Sequence, residues 1–317
     1  MSENIIAVSV SDGPDLQVFG FLPQHLRRLL AFLSGAILCE DWRVGYGGDL
    51  RRDGFTRSLL ADMAAAYARG DIAGEGQAPI VHFFAFSSWR DMSPDAILNH
   101  LMDKDLAPGD APIAPVLETR FFLPAQRQVA GRDGAGPSYV AVVVEDAKLR
   151  APGGGPQIEA GDLLCQLQDA AKSRSEAGVE LTAMRRAMGL ACPLRIQFSG
   201  RVAGYSGDRP GILEEAIEQI AAGGLVLPLA AFGGATREVA IALKLFDAPR
   251  VRYPEYGRNY EDAFGALQAL AGRHRERAGP LWDHLAAAAA LSEPHRIAFQ
   301  LKEILPALAP AARALER

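Results

Sequence analysis

The stretch V-G-Y-G-G-D-L-R-R-D-G-F-T, residues 44–56, joins an apolar run to a helix-like segment through a glycine-rich turn. Gly47 and Gly48 end the apolar run, and Gly54 precedes the helical pattern. A strand, a glycine turn and a helix N-terminus in this order are typical of a phosphate-binding loop, because backbone N–H groups and the helix dipole both favour an anion there. The stretch therefore predicts a strand–turn–helix unit with an anionic ligand.

A second turn of similar composition, G-R-V-A-G-Y-S-G-D-R-P-G-I-L-E-E, occupies residues 200–215. Pro210 suits the first turn of the helix that follows, where its missing N–H costs nothing. A third glycine pair, Gly233 and Gly234, ends another apolar run and predicts a further backbone concavity beside the second turn. Two or more such turns in one chain indicate a nucleotide site.

Apolar runs and helical patterns alternate along most of the chain. The runs that predict strands lie at 5–10, 42–46, 79–86, 139–145, 194–198 and 225–232. The patterns that predict helices lie at 22–39, 56–69, 93–102, 160–191, 210–222 and 238–245, and again after residue 260. This alternation is typical of an α/β, Rossmann-like, doubly wound fold with a mostly parallel sheet and helices on both faces. In such sheets ligands bind at the carboxyl ends of the strands, where all three glycine turns lie.

Residues 104–160 differ from their surroundings because prolines and glycines are concentrated in them. Such a segment predicts an irregular insertion, here around the one strand at 139–145. We expect a nucleotide-binding domain over residues 1–250 that carries this insertion. A helical C-terminal extension over residues 251–317 is expected to pack on that domain.

Composition limits the class of protein. The 317 residues carry a formal net charge of -5, which argues against a general nucleic-acid binder. Cys39, Cys165 and Cys192 lie in apolar stretches without C-x-x-C spacing, which predicts buried, reduced thiols and a cytoplasmic location. The N-terminus has no signal-peptide pattern, and no apolar run approaches the ~18 residues of a membrane span, so no membrane partner is expected.

Several side chains near the turns extend the candidate site. Arg51 beside a helix N-terminus is unfavourable unless an anion is bound there, whereas Thr56 is equally consistent with an N-cap. Glu214 and Glu215 either complement the helix dipole or reach a ribose hydroxyl, and the apolar spacing predicts that both face away from the core. Thr236 is expected to cap the next helix. The predicted ligand-binding residues are Ser9, Ser11, Gly47, Gly48, Asp49, Arg51, Gly54, Thr56, Gly200, Arg201, Gly207, Pro210, Gly211, Glu214, Gly233 and Gly234.

No metal or cofactor motif is found. The six histidines show no metal-ligand spacing, and His82 lies inside an apolar run, which predicts a core residue. The chain lacks the G-K-[ST] P-loop, a complete G-x-G-x-x-G and the G-x-S-x-G elbow. Metal chemistry, P-loop NTPases and classical NAD dehydrogenases therefore lose support, and no cofactor is expected to be required.

Four motifs taken together resemble the SLOG superfamily. They are Y-G-G-D-L-R-R-D-G-F-T (46–56), L-T-A-M-R-R-A-M (181–188), the turn at 200–215 and F-G-G-A (232–235). More narrowly they resemble its prokaryotic clusters from anti-phage and other conflict systems. The superfamily includes the LOG phosphoribohydrolases, the DNA-processing Smf proteins and the nucleotide-sensing modules of TRPM channels. The resemblance implies a Rossmann-like fold that binds nucleotides or NAD-derived signals.

The resemblance also implies roles for single residues. Gly47 and Gly48 match the phosphate-binding Y-G-G-G turn of LOG enzymes, Arg185 matches their catalytic arginine, and Glu215 matches their catalytic glutamate. Asp49 replaces the third glycine of that turn, and P-G-I-L-E-E lacks the second glycine half of the LOG motif P-G-G-x-G-T-x-x-E. Both departures argue against LOG-type hydrolysis.

Two functions are therefore predicted. The first is a module that senses a nucleotide or NAD-derived ligand in a bacterial conflict or signalling system. The alternative is an enzyme that cleaves an N-glycosidic bond, as a LOG-like phosphoribohydrolase or an NAD glycohydrolase, with Glu215 and Arg185 as its catalytic residues. An assembly role without a small ligand is the third option. Since no effector domain is evident, we expect a homo-oligomer or a separate effector protein, with the tail after residue 260 as the contact surface.

Overall fold

The computed structural model describes residues 4–48, 54–72, 77–102, 116–123, 139–145, 148–152, 155–172, 177–205, 207–251, 253, 256–257 and 259–314. Asp49 and Arg51 lie outside the described residues, as does much of the predicted insertion. The chain divides into two compact units, one formed by Met1–Val44 with Met188–Arg317 and the other by Gly45–Ala187. Whether the binding domain ends near residue 250 stays a prediction.

Strands and helices alternate through the described residues. The strands are β1 (Ile5–Ser11), β2 (Arg43–Tyr46), β3 (Ile80–Phe84), β4 (Leu117–Phe122), β5 (Tyr139–Glu145), β6 (Lys148–Arg150), β7 (Leu194–Ser199) and β8 (Leu225–Leu229). The helices are α1 (Pro23–Leu38), α2 (Phe55–Ala68), α3 (Phe86–Trp89), α4 (Pro94–Met102), α5 (Ala160–Ala171), α6 (Ala177–Ala191), α7 (Gly211–Ala221), α8 (Gly234–Ala242), α9 (Tyr260–Ala278), α10 (Trp282–Ala289) and α11 (Pro294–Ala314).

In the first unit β1, β7 and β8 are parallel neighbours. β2, at whose centre the chain passes from the first unit to the second, is the other neighbour of β1. Val8 of β1 lies opposite Ile196 of β7, which in turn lies opposite Leu227 of β8. The residues of β1 from Ile5 to Val10 are all buried, as expected for a parallel strand covered on both faces. Helix α1 packs against β1 and α11, and α9 packs against α7 and α8.

The second unit contains β3 to β6 and packs an aromatic core. β3 and β4 are parallel, whereas β5 and β6 are antiparallel additions. The prediction of a single strand in residues 104–160 is wrong, because β4 and β6 are strands as well. In β4 the charged Glu118 and Arg120 pair at 2.7 Å with about 4% of each side chain exposed. This pairing allows a charged segment to form a buried strand that apolar periodicity does not reveal.

The fold class is confirmed as α/β and Rossmann-like, with mostly parallel strands and a helical C-terminal segment. Two local predictions are wrong, one on a helix cap and one on the cysteines. Helix α8 begins at Gly234, so Thr236 lies inside the helix and does not cap it. Cys39 and Cys165 are exposed, because each lies on the outer side of its segment, and only Cys192 is buried. Within the described residues, no helix is long and apolar enough to cross a membrane.

Candidate functional site

The first unit contains a topological switch point between β1 and β7. From β1 the chain runs to β2 on one side, where the Arg43 N–H donates to the Asn4 carbonyl, and it later returns to β7 on the other side. Connections that leave a parallel sheet in opposite directions open a crevice at the carboxyl ends of the strands. The turns after β1, β7 and β8 all lie at this edge.

Hydrogen bonds connect the turns after β1 and β7. The Gly13 N–H donates to the Ser199 hydroxyl at 3.0 Å, and the Arg201 N–H donates to the Ser11 hydroxyl at 3.1 Å. Ser199 has a φ of +59°, which is unusual for a residue with a side chain, and it is fully buried. Backbone strain of this kind is concentrated at functional sites. The structure thus brings Ser11, Gly200 and Arg201 together, and it adds Ser199, which the sequence analysis missed.

The turn after β8 is closed by a carboxylate from the β1 side. The Gly234 N–H donates to Asp15 Oδ1 at 2.8 Å, and the Ala235 N–H donates to the Gly200 carbonyl at 3.0 Å. Gly234 has a φ of +62°, and a Cβ there would lie 2.5 Å from the Gly200 carbonyl oxygen. Only glycine fits this approach of two backbones.

Asp15 is buried and joins three parts of the first unit. Besides the Gly234 N–H, its carboxylate accepts a short hydrogen bond from the Tyr253 hydroxyl, which belongs to the segment between α8 and α9. Burial and this bond raise the pKa of Tyr253 above its usual range. A phosphate at Gly234 would therefore have to replace the Asp15 carboxylate. Asp15 was missed because an aspartate in a turn carries no sign of which distant amide it accepts.

The N-terminus of α7 lies at the carboxyl end of β7 without a side-chain cap. Pro210 is the N-cap residue and Gly211 the first helical residue. The first N–H groups of a helix have no acceptor within the helix, so they are available to an anion. Two exposed arginines, Arg201 and Arg209, flank this turn, and neither side chain pairs with a carboxylate among the described residues. Gly207, Pro210 and Gly211 thus lie in the turn that leads into α7, and their role as ligand-binding residues stays a prediction.

Glu215 is bound to a buried arginine. Arg195 Nη1 donates to Glu215 Oε2 at 3.2 Å and to the Ser9 hydroxyl at 2.8 Å. The Arg195 side chain is fully buried, while that of Glu215 is 13% exposed. Arg195 Nε also reaches Gln219 at 3.4 Å. Ser9 and Glu215 therefore belong to a buried polar cluster whose centre is an arginine that the sequence analysis missed.

The prediction that Glu214 and Glu215 face away from the core is wrong. Glu214 is only 4% exposed, and Glu215 is largely covered. The reason is that β7 presents a polar face, formed by alternate residues Arg195, Gln197 and Ser199, all fully buried. Polar residues of α7 pack on this face, so an apolar stripe is a poor guide to its inner side. The alternation in L-R-I-Q-F-S is the sequence signal that could have revealed the polar face.

The second unit contains the glycine turn at Gly47 and Gly48. The Gly48 carbonyl is 3.0 Å from His82 Nε2, and a Cβ at Gly48 would collide with the Thr56 hydroxyl and the Tyr46 ring. Gly54 is the N-cap of α2, so the N-cap alternative for Thr56 is wrong, and Thr56 is a buried residue within the helix. His82 is 1% exposed, which confirms the predicted core residue.

Two further basic residues of the second unit, Arg185 and His100, are buried. Arg185 in α6 is 8% exposed, so it does not lie on a solvated helix face. His100 lies 5.6 Å from His82 between ring centroids, and burial, followed by the charges of His82 and Arg57, holds its pKa well below its usual value. No group of His, Cys, Asp and Glu in the described residues could hold a metal ion.

The described strands and helices define a Rossmann-like α/β module. The family model described as SLOG cluster2 matches residues 1–110 and 145–280, which is well over half of the chain. The chain therefore belongs to the SLOG cluster2 family, and the predicted superfamily is confirmed. The stretch between the two matched parts falls within the predicted insertion. No curated protein matches the chain at a significant level.

Proposed function

We propose that the chain is a sensing module that binds a nucleotide or an NAD-derived nucleotide at the carboxyl ends of β1, β7 and β8. The observation that carries this proposal is the uncapped N-terminus of α7 at the switch point, flanked by the exposed Arg201 and Arg209. Helix N–H groups, the helix dipole and two guanidinium groups together attract a phosphate or diphosphate. Membership of the SLOG cluster2 family supports a nucleotide as the source of that phosphate.

Several predicted residues keep their proposed roles in this module. Ser11, Gly200 and Arg201 form the wall of the crevice, and Gly207 with Gly211 forms the phosphate turn. The sensing role in a bacterial conflict system belongs to the same proposal, with the signal passed on through a homo-oligomer or a separate effector protein.

The hydrolase is the weaker candidate because the Glu215 carboxylate is already bound to Arg195. A general base, or a carboxylate that stabilises an oxocarbenium-like centre, needs an oxygen that reaches the substrate. Glu215 instead accepts from the fully buried Arg195. An ion pair of this kind holds the carboxylate in place, which favours a structural role.

The test is to follow the melting temperature and base release together. The protein is incubated with NAD, cyclic ADP-ribose, ADP-ribose and nucleoside monophosphates. We expect a rise in melting temperature with at least one nucleotide and no released base. Base release that is lost in Glu215→Gln would favour the hydrolase, and no thermal shift across the set would overturn the sensing proposal. Arg201→Ala combined with Arg209→Ala should weaken binding, whereas exposed Arg296→Ala on α11 is the matched control.

A further inference from the structure

The two carboxylate oxygens of Glu238 in α8 differ in their hydrogen bonds to the described residues. Its Oε2 accepts from Arg250 Nε at 2.6 Å and lies 3.4 Å from the Tyr256 hydroxyl. Its Oε1 has no hydrogen-bond partner among the described residues, although only 1% of the side chain is exposed. A buried carboxylate oxygen without a donor is costly, and in native proteins such an atom calls for a specific explanation.

The hydroxyl of Tyr260 is a second group of the same kind. Tyr260 is 1% exposed, and its hydroxyl has no partner within the part of the chain that the structure describes. Its ring stacks on that of Tyr256, with 4.2 Å between centroids and 20° between planes. Tyr256 thus contacts both groups, through its ring on one side and its hydroxyl on the other. Burial raises the pKa of Tyr260, and the nearby charge of Glu238 raises it further, so the hydroxyl stays protonated.

The charges around these two groups select the chemistry of an occupant. Among the described residues, Glu238 and Glu261 share the Arg250 guanidinium, and Asp15 accepts from Tyr253. More carboxylates than guanidinium groups thus take part in these contacts, which disfavours a phosphate here. The two groups without a partner among the described residues are an anionic acceptor and a hydroxyl that can donate or accept. This combination suits a pair of neutral hydroxyls.

We propose that Glu238 and Tyr260 form a subsite for the vicinal hydroxyls of a furanose sugar. Glu238 Oε1 accepts from one hydroxyl, and the Tyr260 hydroxyl bonds to the other. This assignment rests on the proposed nucleotide function, since it orients the ligand with its phosphate at the N-terminus of α7 and its sugar at α8. It gives the sugar contact to Glu238 in place of Glu215.

Tyr253 connects this subsite to the crevice. Its ring lies 5.5 Å from that of Tyr256 between centroids, and its hydroxyl donates to Asp15 at the end of β1. The same segment is fixed to the loop after β7, because the Gly257 N–H donates to the Val202 carbonyl at 3.2 Å and the Asn259 amide donates to the Asp208 carbonyl at 3.1 Å. One ligand that spans both sites therefore lies along the edge of a single unit.

Tyr260→Phe is the decisive variant because it removes only a hydroxyl that has no partner among the described residues. Calorimetric titration with ADP-ribose, and with methyl β-D-ribofuranoside at millimolar concentration, measures binding of the whole ligand class and of the sugar alone. We expect Tyr260→Phe to bind both probes about tenfold more weakly, while its melting temperature without ligand stays the same or rises. Glu238→Gln should lose roughly tenfold to a hundredfold.

Ser34→Ala is the matched control, since Ser34 in α1 also has a fully buried hydroxyl without a partner in the described chain. It should leave both affinities unchanged. If ADP-ribose binds wild type and Tyr260→Phe equally, the subsite is overturned while nucleotide binding stands. If only the furanoside binds, the subsite stands, and the melting temperatures with the full nucleotide set decide the nucleotide proposal separately. If neither probe binds, the subsite is overturned.

Discussion

The strand–helix pairs β7–α7 and β8–α8 lie side by side in one parallel sheet, and their turns lie at the same edge. The N-termini of the two helices nevertheless differ. Helix α7 has an open N-terminus and a glutamate, Glu215, bound to a fully buried arginine. Helix α8 has its first N–H bound by Asp15, and its glutamate, Glu238, has one oxygen without a hydrogen-bond partner in the described part of the chain. The comparison teaches that a glycine turn before a helix does not by itself define an anion site. What matters is whether the protein supplies its own anion.

Gly234→Ala should produce the largest effect, because it disrupts the close contact between the backbone of the turn after β7 and the first residue of α8. A Cβ at this position would lie 2.5 Å from the Gly200 carbonyl oxygen and 2.9 Å from the Ser199 carbonyl carbon, both backbone atoms. Together with the left-handed backbone, this predicts a loss of about 4 kcal/mol in the free energy of unfolding. Urea denaturation followed by circular dichroism measures it.

Gly223→Ala supplies the control for that substitution. Gly223 also has a positive φ, of +86°, but a Cβ there would meet nothing within 4 Å. Its loss should be about 1 kcal/mol, from backbone conformation alone. Equal losses at the two positions would show that the approach of the Gly200 and Gly234 backbones contributes little to stability.

Glu215→Ala should cost about 3 kcal/mol, because it leaves Arg195 buried without its carboxylate. The same change at Glu276, an exposed residue of α9, should stay within ~0.5 kcal/mol. Chemical denaturation of both variants gives the difference. A loss at Glu215 no larger than that at Glu276 would contradict the structural role and return Glu215 to the list of ligand contacts.

As the pH falls, the strand–helix pair β8–α8 should lose stability before the pair β7–α7. His274 Nε2 accepts from the Val226 N–H of β8 at 3.0 Å, and burial lowers the pKa of His274 to about 4. Since the unfolded chain binds this proton near pH 6.5, the stabilisation is complete above pH 6.5 and is lost as the pH falls towards 4. The loss should be roughly 2–3 kcal/mol.

Denaturation at several pH values in wild type and in His274→Gln isolates this residue from His100, whose pKa is also lowered by burial. The part of the acid sensitivity that belongs to His274 should disappear in the variant. Hydrogen exchange at Val226 locates it in β8. His295→Gln, at an exposed position, should leave the pH profile unchanged. A profile that is identical in wild type and His274→Gln would contradict the assignment.

The sequence predicts the fold better than the closure of the site. Continuous apolar runs such as residues 5–10 predict strands because burial on both faces leaves a local signal. The pairing of Glu118 with Arg120, which makes β4 a strand, is visible only once the strand is formed. The same holds for the turns: their glycines are local, whereas Asp15 lies 219 positions from the amide it accepts. Long-range polar contacts of this kind leave no periodicity, so Asp15, Arg195 and Tyr253 were missed.

Asp15→Ala should leave the N-terminus of α8 open, as that of α7 is. Of the four main substitutions it should change the free energy of unfolding least. The substitution leaves the Gly234 N–H and the Tyr253 hydroxyl without their acceptor, so we expect a stability loss of about 2 kcal/mol. It also opens the N-terminus of α8 to an anion. Inorganic phosphate at about ten times its dissociation constant should then restore about 1.4 kcal/mol. The same phosphate concentration should stabilise wild type less, because α8 already holds Asp15.

Tyr253→Phe keeps the carboxylate in place, so it is the control that should gain no response to phosphate. If Asp15→Ala and Tyr253→Phe respond alike, Asp15 is not the anion that closes α8, and the contrast between the two helices fails at that point.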